Sequence, residues 1–364
     1  MENRMLTAVR SRSRTAPAAL AALVTLTAVA LAGCSPSTSP SGPAVPEASA
    51  SRSQAAPAGD TFPVTIASAL GDAVIPKRPE RVVTWGWSSQ DAVLALGVVP
   101  VAMPKNTYGG DADGVLPWDA EKIKELGGTA PALLSSDSGE VPFEEIVEAR
   151  PDVILAPYSG ITKDDFAKLS KVAPVVAYPE KPWALPWQDQ IEIIGKALGR
   201  GAEATALRER TAAYVSSLAQ ANPVLKGKTF LYGAANEADQ LNVYRASDPR
   251  VALLVDLGMT VSPSVAALDG DPTSGSYFYG ISYENVGKID ADVLVMYFGS
   301  QKEADKFVAD PVIAAMPNIR DKRFAPIVGE SFVMASSAPT VLSIPWMLDQ
   351  YVPRLAAAVG KPGA

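Results

Sequence analysis

From residue 81 onward, short runs of β-branched and aliphatic residues alternate with stretches that have the apolar spacing of helices. This alternation is typical of α/β proteins, in which helices join the strands of a parallel sheet. The runs predict strands at 81–85, 99–103, 152–156, 174–178, 228–233, 240–245, 292–298 and 323–328. The stretches predict helices at 88–96, 142–149, 163–170, 187–198, 250–257, 282–288 and 340–358. We therefore expect an α/β fold with mainly parallel sheets.

A longer helical segment divides these elements into two sets. Residues 201–221 place Leu207, Tyr214, Val215 and Leu218 at helical spacing. At about 1.5 Å per residue, this segment forms a rod of roughly 32 Å. Such a rod between two α/β halves predicts two lobes joined by one helix. The predicted divisions are an N-terminal lobe over 61–199, a connecting helix over 200–222 and a C-terminal lobe over 223–364.

An internal repeat supports two related halves. Residues 143–158 align without a gap with residues 283–298, at an offset of 140. The apolar matches are equally expected of any helix-loop-strand unit, since packing fixes those positions. The match of Glu144 with Glu284 is harder to explain by packing, because glutamate is a surface residue.

The N-terminus has the pattern of a secreted lipoprotein. A basic segment at 1–16 precedes an apolar run at 18–32 that is too short to span a bilayer, which needs about 20 helical residues. The run ends in Leu-Ala-Gly-Cys, which resembles a lipobox, so we predict a signal peptide over 1–33 and lipid attachment at Cys34. The alternative is an anchoring helix with an incidental cysteine. Residues 34–60 are rich in Ser, Pro and Ala and predict a disordered tether.

The composition excludes the catalytic and metal sites that depend on histidine or on several cysteines. The 364 residues include no histidine and one cysteine, which excludes a Ser-His-Asp triad, histidine-ligated metals, disulfides and thiolate clusters. No phosphate-binding loop or GxSxG motif occurs. The 39 acidic against 32 basic residues argue against a nucleic-acid partner. A site must therefore be built from Tyr, Trp, Arg, Lys, Asp, Glu and backbone.

Large aromatic residues follow the predicted strands in both halves. Because ligands bind at the carboxyl ends of strands in open α/β sheets, two facing lobes would line one cleft with these rings. Each ring taken alone is equally an ordinary core or surface residue. Such a cleft suits a bulky, partly apolar ligand, and an arginine adds donors for an anionic oxygen. The predicted ligand-binding residues are Trp85, Trp87, Tyr108, Tyr158, Trp183, Trp187, Arg245, Tyr277, Tyr279 and Tyr297.

The ordered set of motifs over 62–360 resembles the iron-siderophore solute-binding proteins of bacterial ABC importers. The resemblance implies two Rossmann-like lobes joined by one long helix, with the ligand cleft between them. It also implies a binding protein that is not an enzyme and has no cofactor or directly bound metal, since the siderophore coordinates the iron. The segments that carry it are RVVTWGWSSQDAVLALGVVPVAMP, FEEIVEARPDVIL, YSGIT, KLSKVAPVVAYPEKPWALPW, DPRVALLVDLGM and ISYENVGKIDADVLV.

The resemblance also implies roles for single residues. Trp87 and Tyr279 match ligand contacts of ferric-hydroxamate binders, and Tyr158 lies where family clefts are lined. Glu144 and Glu284 match the acidic residues that dock on permease arginines. The implied protein is a monomer held by lipid to the outer face of the cell membrane.

The ligand class remains open at this point. A ferric tris-catecholate is strongly anionic and needs several cleft arginines, whereas only Arg245 lies near the predicted rim; hydroxamate or mixed siderophores are therefore favoured. The alternatives are a haem or corrinoid receptor, and a secreted hydrolase that uses two carboxylates.

Overall fold

The computed structural model describes residues 61–136 and 139–360. The predicted signal peptide, Cys34 and the tether up to residue 60 lie outside the described residues, so these expectations stay predictions.

The first lobe is built on a five-stranded parallel sheet with the strand order β5-β4-β3-β6-β7. A small antiparallel hairpin of β1 and β2 precedes it. From β3 the chain moves outward to β4 and β5, and then returns to the other side of β3 for β6 and β7. The elements are β1 (Val64–Ile66), β2 (Ala73–Ile75), β3 (Val82–Thr84), α1 (Ser89–Ala95), β4 (Ala102–Pro104), α2 (Pro117–Leu126), β5 (Ala132–Leu134), α3 (Phe143–Glu148), β6 (Val153–Leu155), α4 (Lys163–Leu169), β7 (Val175–Val176) and α5 (Trp187–Leu198).

Both faces of this sheet are covered, which explains why its strands are almost uniformly apolar. Successive residues of a strand point to opposite faces. Val82 and Val153 belong to one buried core, whereas their neighbours Val83 and Ile154 belong to another.

The predicted connecting helix is present as α6 (Gly201–Ala221). It packs closely on α5, where a Cβ on Gly195 would lie 2.2 Å from the Ala204 Cβ. Glycine is therefore required for this approach of the two helices. None of the helices in the described ranges has the length and apolarity to span a membrane.

The second lobe contains a six-stranded mixed sheet. Strands β8, β12 and β13 run parallel, β9 and β11 are antiparallel to their neighbours, and β10 pairs with the start of β8. Two 3₁₀ helices lie at Pro223–Leu225 and Tyr283–Lys288. The elements are β8 (Thr229–Glu237), β9 (Gln240–Tyr244), α7 (Pro249–Asp256), β10 (Thr260–Val261), α8 (Pro263–Ala267), β11 (Phe278–Ser282), β12 (Val293–Phe298), α9 (Gln301–Ala309), α10 (Pro311–Ala314), α11 (Pro317–Arg320), β13 (Phe324–Val328), α12 (Glu330–Ser337) and α13 (Ser343–Val359).

The internal repeat corresponds to two similar units. Asp152 accepts hydrogen bonds from the backbone N–H groups of Glu80 and Arg81 (2.8 and 2.9 Å), at the start of β3. Asp292, its partner in the repeat, accepts one from the Thr229 N–H (2.6 Å), at the start of β8. Asp152 thus holds the start of β3 beside β6, and Asp292 holds the start of β8 beside β12.

Candidate ligand-binding site

A cavity of about 550 Å³ lies between the two lobes. Its volume is within the range of small-molecule sites, which is roughly 300–1,000 Å³. Both lobes contribute to its wall. The lining residues are Trp85, Gly86, Trp87, Pro104, Lys105, Asn106, Thr107, Tyr108, Ser136, Gly139, Val141, Gly160, Ile161, Asp165, Trp183, Asn236, Arg250, Tyr297, Val333, Met334 and Ser337.

The first-lobe wall is formed by the segments that follow all five parallel strands. The loops after β3 and β6 lie where the strand order reverses, which is the crevice at which open α/β sheets bind ligands. The Trp87 N–H donates to the Tyr158 carbonyl oxygen (3.0 Å) and joins these two loops. A Cβ on Gly86 would lie 2.5 Å from that same oxygen, so the approach requires glycine.

Two tryptophan rings form one side of the cavity, and Tyr158 packs behind them. The Trp87 and Trp183 ring centroids are 5.6 Å apart, and Tyr158 meets Trp183 edge to face at 5.7 Å. Gly160 allows this packing, because a Cβ there would lie 2.7 Å from the Trp183 indole nitrogen. Trp87 remains 41% exposed and so presents its ring to the cavity.

The second-lobe wall combines polar groups from β8, β12 and α7 with apolar residues of α12. The Asn236 amide donates to the Tyr297 hydroxyl (2.9 Å), which also hydrogen-bonds to the Tyr244 hydroxyl (2.9 Å). These contacts fix the orientation of the Tyr297 phenol at the wall.

Arg250 is the arginine of the cavity wall. Its side chain is 8% exposed, and its Nη1 donates to the buried carboxylate of Asp248 (2.7 Å). The guanidinium lies 4.6 Å from the Tyr244 ring centroid, and Nε has no hydrogen-bond partner among the described residues. Burial lowers the pKa of Arg250, but Asp248 and the surrounding phenols raise it by more, so the group stays cationic.

The cavity shows no excess of positive charge in the described part of the chain. Lys105 and Arg250 line it together with Asp165, and Asp248 behind the wall pairs with Arg250, which makes two positive and two negative groups. Tyr108 lies near Glu330 and Glu303, and burial followed by these two acids raises the pKa of its phenol to about 12. The described residues hold no group of three or more Cys, Asp or Glu side chains placed to bind a metal ion.

The loop that carries Tyr108 reaches the second lobe beside the cavity. The Ser331 hydroxyl, on α12, donates to the Gly109 carbonyl oxygen (2.7 Å). Gly109 has a φ of +83°, and a Cβ there would lie 2.7 Å from Met334 Cγ. This contact closes one side of the cavity.

The residues proposed from the sequence fall into four groups. Trp85, Trp87, Tyr108, Trp183 and Tyr297 line the cavity. Tyr158, buried against Trp183, and Tyr277, exposed and stacked on Tyr244, do not line it. Trp187 is buried at the start of α5, in a core cluster that includes residues of both lobes.

Arg245 and Tyr279 are placed elsewhere. Arg245 forms an ion pair with Asp269 (2.7 Å) and lies over the Tyr279 ring. Tyr244, next to Arg245 on β9, belongs to the core that packs against Tyr297, whereas Tyr279 packs against the core on the other face of the sheet. Because successive residues of a strand point to opposite faces, Arg245 is directed away from the cavity.

Arg250, Asn236 and the residues of α12 line the cavity but were not predicted from the sequence. The signal for Arg250 was the Asp-Pro-Arg start of α7, in which the Asp248 side chain accepts from the Arg250 N–H (2.8 Å) and caps the helix. Nothing in the apolar pattern distinguished Val333, Met334 and Ser337, because α12 is short and rich in serine.

Residues 82–327 match the family model of the periplasmic binding proteins, so the chain belongs to this family of binding proteins. It is similar to the crystal structure of Streptococcus pneumoniae PiaA in complex with ferrichrome, with 39% identity, 81% of this chain and 98% of that chain covered, and a TM-score of 0.73. It is also similar to a periplasmic solute-binding protein of Mycobacterium smegmatis, with 32% identity, coverage of 82% and 99%, and a TM-score of 0.70. The Escherichia coli ferric enterobactin-binding periplasmic protein FepB is 24% identical over 74% of this chain and 86% of its own.

Proposed function

We propose that this protein is the extracytoplasmic receptor of an ABC importer for an iron(III)-siderophore complex. The observation that carries the proposal is the cavity lined by tryptophan and tyrosine from two lobes, in a chain 39% identical to a protein solved with ferrichrome. The siderophore supplies the iron ligands. The protein contributes aromatic faces and a few hydrogen-bond donors, and it carries out no chemical step.

The charge of the cavity favours a hydroxamate or mixed siderophore. A ferric trihydroxamate is neutral or cationic, whereas a ferric tris-catecholate carries several negative charges and must be matched by uncompensated cations. Arg250 is paired with Asp248, and Lys105 faces a wall that also carries Asp165. Such a wall favours the neutral or cationic complex.

Delivery to the importer uses the surface of both lobes and the N-terminus. Glu144 on α3 and Glu284 in the second 3₁₀ helix are both exposed, one on each lobe, as docking to two permease subunits requires. Lipid on Cys34 keeps the monomeric receptor at the outer face of the cell membrane. The composition of the 26 residues 35–60 predicts a disordered tether, which would span roughly 28 Å and let the receptor reach a permease in the same membrane.

Ligand titration tests the function. Ferrichrome and other ferric hydroxamates should quench the fluorescence of Trp87 and Trp183, because both indoles lie at the cavity. Apo-siderophores and ferric citrate are the comparison ligands. Failure of every ferric hydroxamate, catecholate and citrate complex to change the fluorescence would overturn the siderophore assignment, and a Soret shift on addition of haem would replace it with a haem receptor.

A further inference from the structure

Asp248 forms an ion pair with the arginine of the cavity wall, although Arg250 does not need this counter-charge to donate a hydrogen bond to a ligand. Asp248 is 1% exposed and already caps α7 through the Arg250 N–H. Its second carboxylate oxygen, Oδ2, accepts from Arg250 Nη1 (2.7 Å). The guanidinium also interacts with the phenols of Tyr158, Tyr232 and Tyr244, which are neutral at physiological pH because burial raises the pKa of each. It lies 5.8 Å from the Tyr277 ring centroid as well.

The pair therefore carries no net charge but retains directed donors. Arg250 is part of the cavity wall, and its side-chain hydrogen bond within the described structure uses Nη1, while Nε is buried and has no partner there. An oxygen of a neutral ligand gains a hydrogen bond from such a group. An anionic ligand gains the same hydrogen bond but meets no net positive charge, while its own desolvation is more costly.

We propose that Asp248 determines which ligand charge the cavity accepts, selecting neutral ferric complexes against anionic ones by neutralising Arg250. This inference rests on the proposed siderophore-binding function and adds a specificity residue that does not itself line the cavity. Negative selection of this kind needs only one buried carboxylate behind the arginine.

The Asp248→Asn variant tests the inference. Asparagine caps helices as well as aspartate does, so α7 keeps its N-terminus while Arg250 loses its counter-charge. Affinities are measured for ferrichrome, a neutral trihydroxamate, and for ferric enterobactin, a trianionic tris-catecholate. We expect the ratio of the two affinities to shift by at least about tenfold toward the anion, since one unpaired charge at short range is added to the cavity wall.

The double variant Asp248→Asn/Arg250→Gln is the matched control. It removes both charges, so the affinity ratio should return close to that of the wild type even if both ligands bind more weakly. An unchanged ratio in a folded Asp248→Asn protein that still binds ferrichrome would overturn the inference. Failure of the wild type to bind any of the ferric hydroxamate, catecholate and citrate complexes would instead overturn the proposed function, and this inference with it.

If Asp248→Asn does not fold, the salt dependence of ligand affinity in the wild type tests the inference. Raising the salt concentration from about 0.02 to 0.5 M should leave the affinity ratio of the two complexes unchanged, because a neutral pair offers no long-range attraction to screen. A selective loss of anion affinity with salt would show that Arg250 acts as an uncompensated cation.

Discussion

At the scale of single residues, the cavity depends on close approaches that few side chains permit. Gly86 and Gly160 let the loops after β3 and β6 lie against Tyr158 and Trp183. Trp87 is then fixed by its backbone hydrogen bond and by contact with Trp183, while its ring stays exposed. The ring is thus held in place before the ligand arrives, so little side-chain freedom is lost on binding.

Replacing Trp87 with alanine should weaken ferrichrome binding by about tenfold, or roughly 1.4 kcal/mol, because an aromatic face at the cavity is lost. Protein stability should change little, since the ring is already 41% exposed. Isothermal titration calorimetry and thermal unfolding measure the two effects. Tyr279→Phe is the control and should bind normally, since the Tyr279 hydroxyl donates to the Val265 carbonyl oxygen, away from the cavity wall. The assignment of the wall fails if Tyr279→Phe weakens binding and Trp87→Ala does not.

At the scale of elements, α1, α2 and the segment before α13 meet at two fully buried carboxyl groups. Asp91 Oδ2 accepts from the Trp118 indole N–H (2.6 Å) and the Thr340 hydroxyl (2.6 Å), and so joins the two lobes. Asp119 accepts from the Gln90 amide (3.0 Å). Neither carboxyl forms an ion pair with a lysine or arginine in the described ranges. Burial raises the pKa of Asp91 to about 7, and burial and the Asp91 charge raise that of Asp119 well above its ordinary value.

These shifts predict a stability that falls as pH rises. Between about pH 4, where an unfolded carboxyl ionises, and the raised values in the folded state, the folded protein holds protons that the unfolded chain has lost. The free energy of unfolding should therefore decrease with rising pH up to about 7 through Asp91, and further through Asp119. Asp119→Asn imitates the protonated carboxyl and should flatten this slope.

Urea unfolding at several pH values measures the slope. Asp305→Asn, which removes an exposed carboxylate on α9, is the matched control and should follow the wild type. Equal slopes for the wild type and Asp119→Asn would show that Asp119 does not keep a proton in the folded protein over this pH range.

At the scale of the whole molecule, one long helix contacts both lobes, and each lobe carries one of the exposed glutamates proposed to dock on a permease. Helix α6 packs on α5 of the first lobe, and its Tyr214 hydroxyl donates to Asp349 of α13 in the second (2.6 Å). Contacts with both lobes oppose large movements between them. We therefore expect the separation of Glu144 and Glu284 to change little when a ligand binds.

The double variant Glu144→Ala/Glu284→Ala should abolish uptake of siderophore-bound iron by cells while the affinity of the purified protein stays unchanged. Uptake of radiolabelled iron and calorimetric affinity measure the two properties. Glu148→Ala, an exposed glutamate on the same helix as Glu144, should support normal uptake. A lower affinity in the double variant would instead place the glutamates at the ligand.

Local patterns determined much of this protein. The apolar runs predicted β3, β4, β6 and β7 of the first sheet and β8, β9, β12 and β13 of the second, and helices α5 and α6 lie within the predicted limits, because helical spacing and buried strands follow from short stretches of chain. The short parallel strands β5 and β10 were not predicted. The same patterns gave no sign of the hairpin of β1 and β2 or of α12, whose residues contact elements far away in the chain. Strand β11 was also not predicted, and it forms by antiparallel pairing with β9.

The cavity itself was decided by tertiary structure. The sequence placed aromatic residues after strands, and five of the ten proposed ligand residues line the cavity. Arg245 and Arg250 are five positions apart, yet strand alternation turns one away and the start of α7 turns the other inward. Sequence alone determined the residue types and their order along each strand. The direction of each side chain, and the pairing of Arg250 with Asp248, depended on how strands and helices from distant parts of the chain pack together.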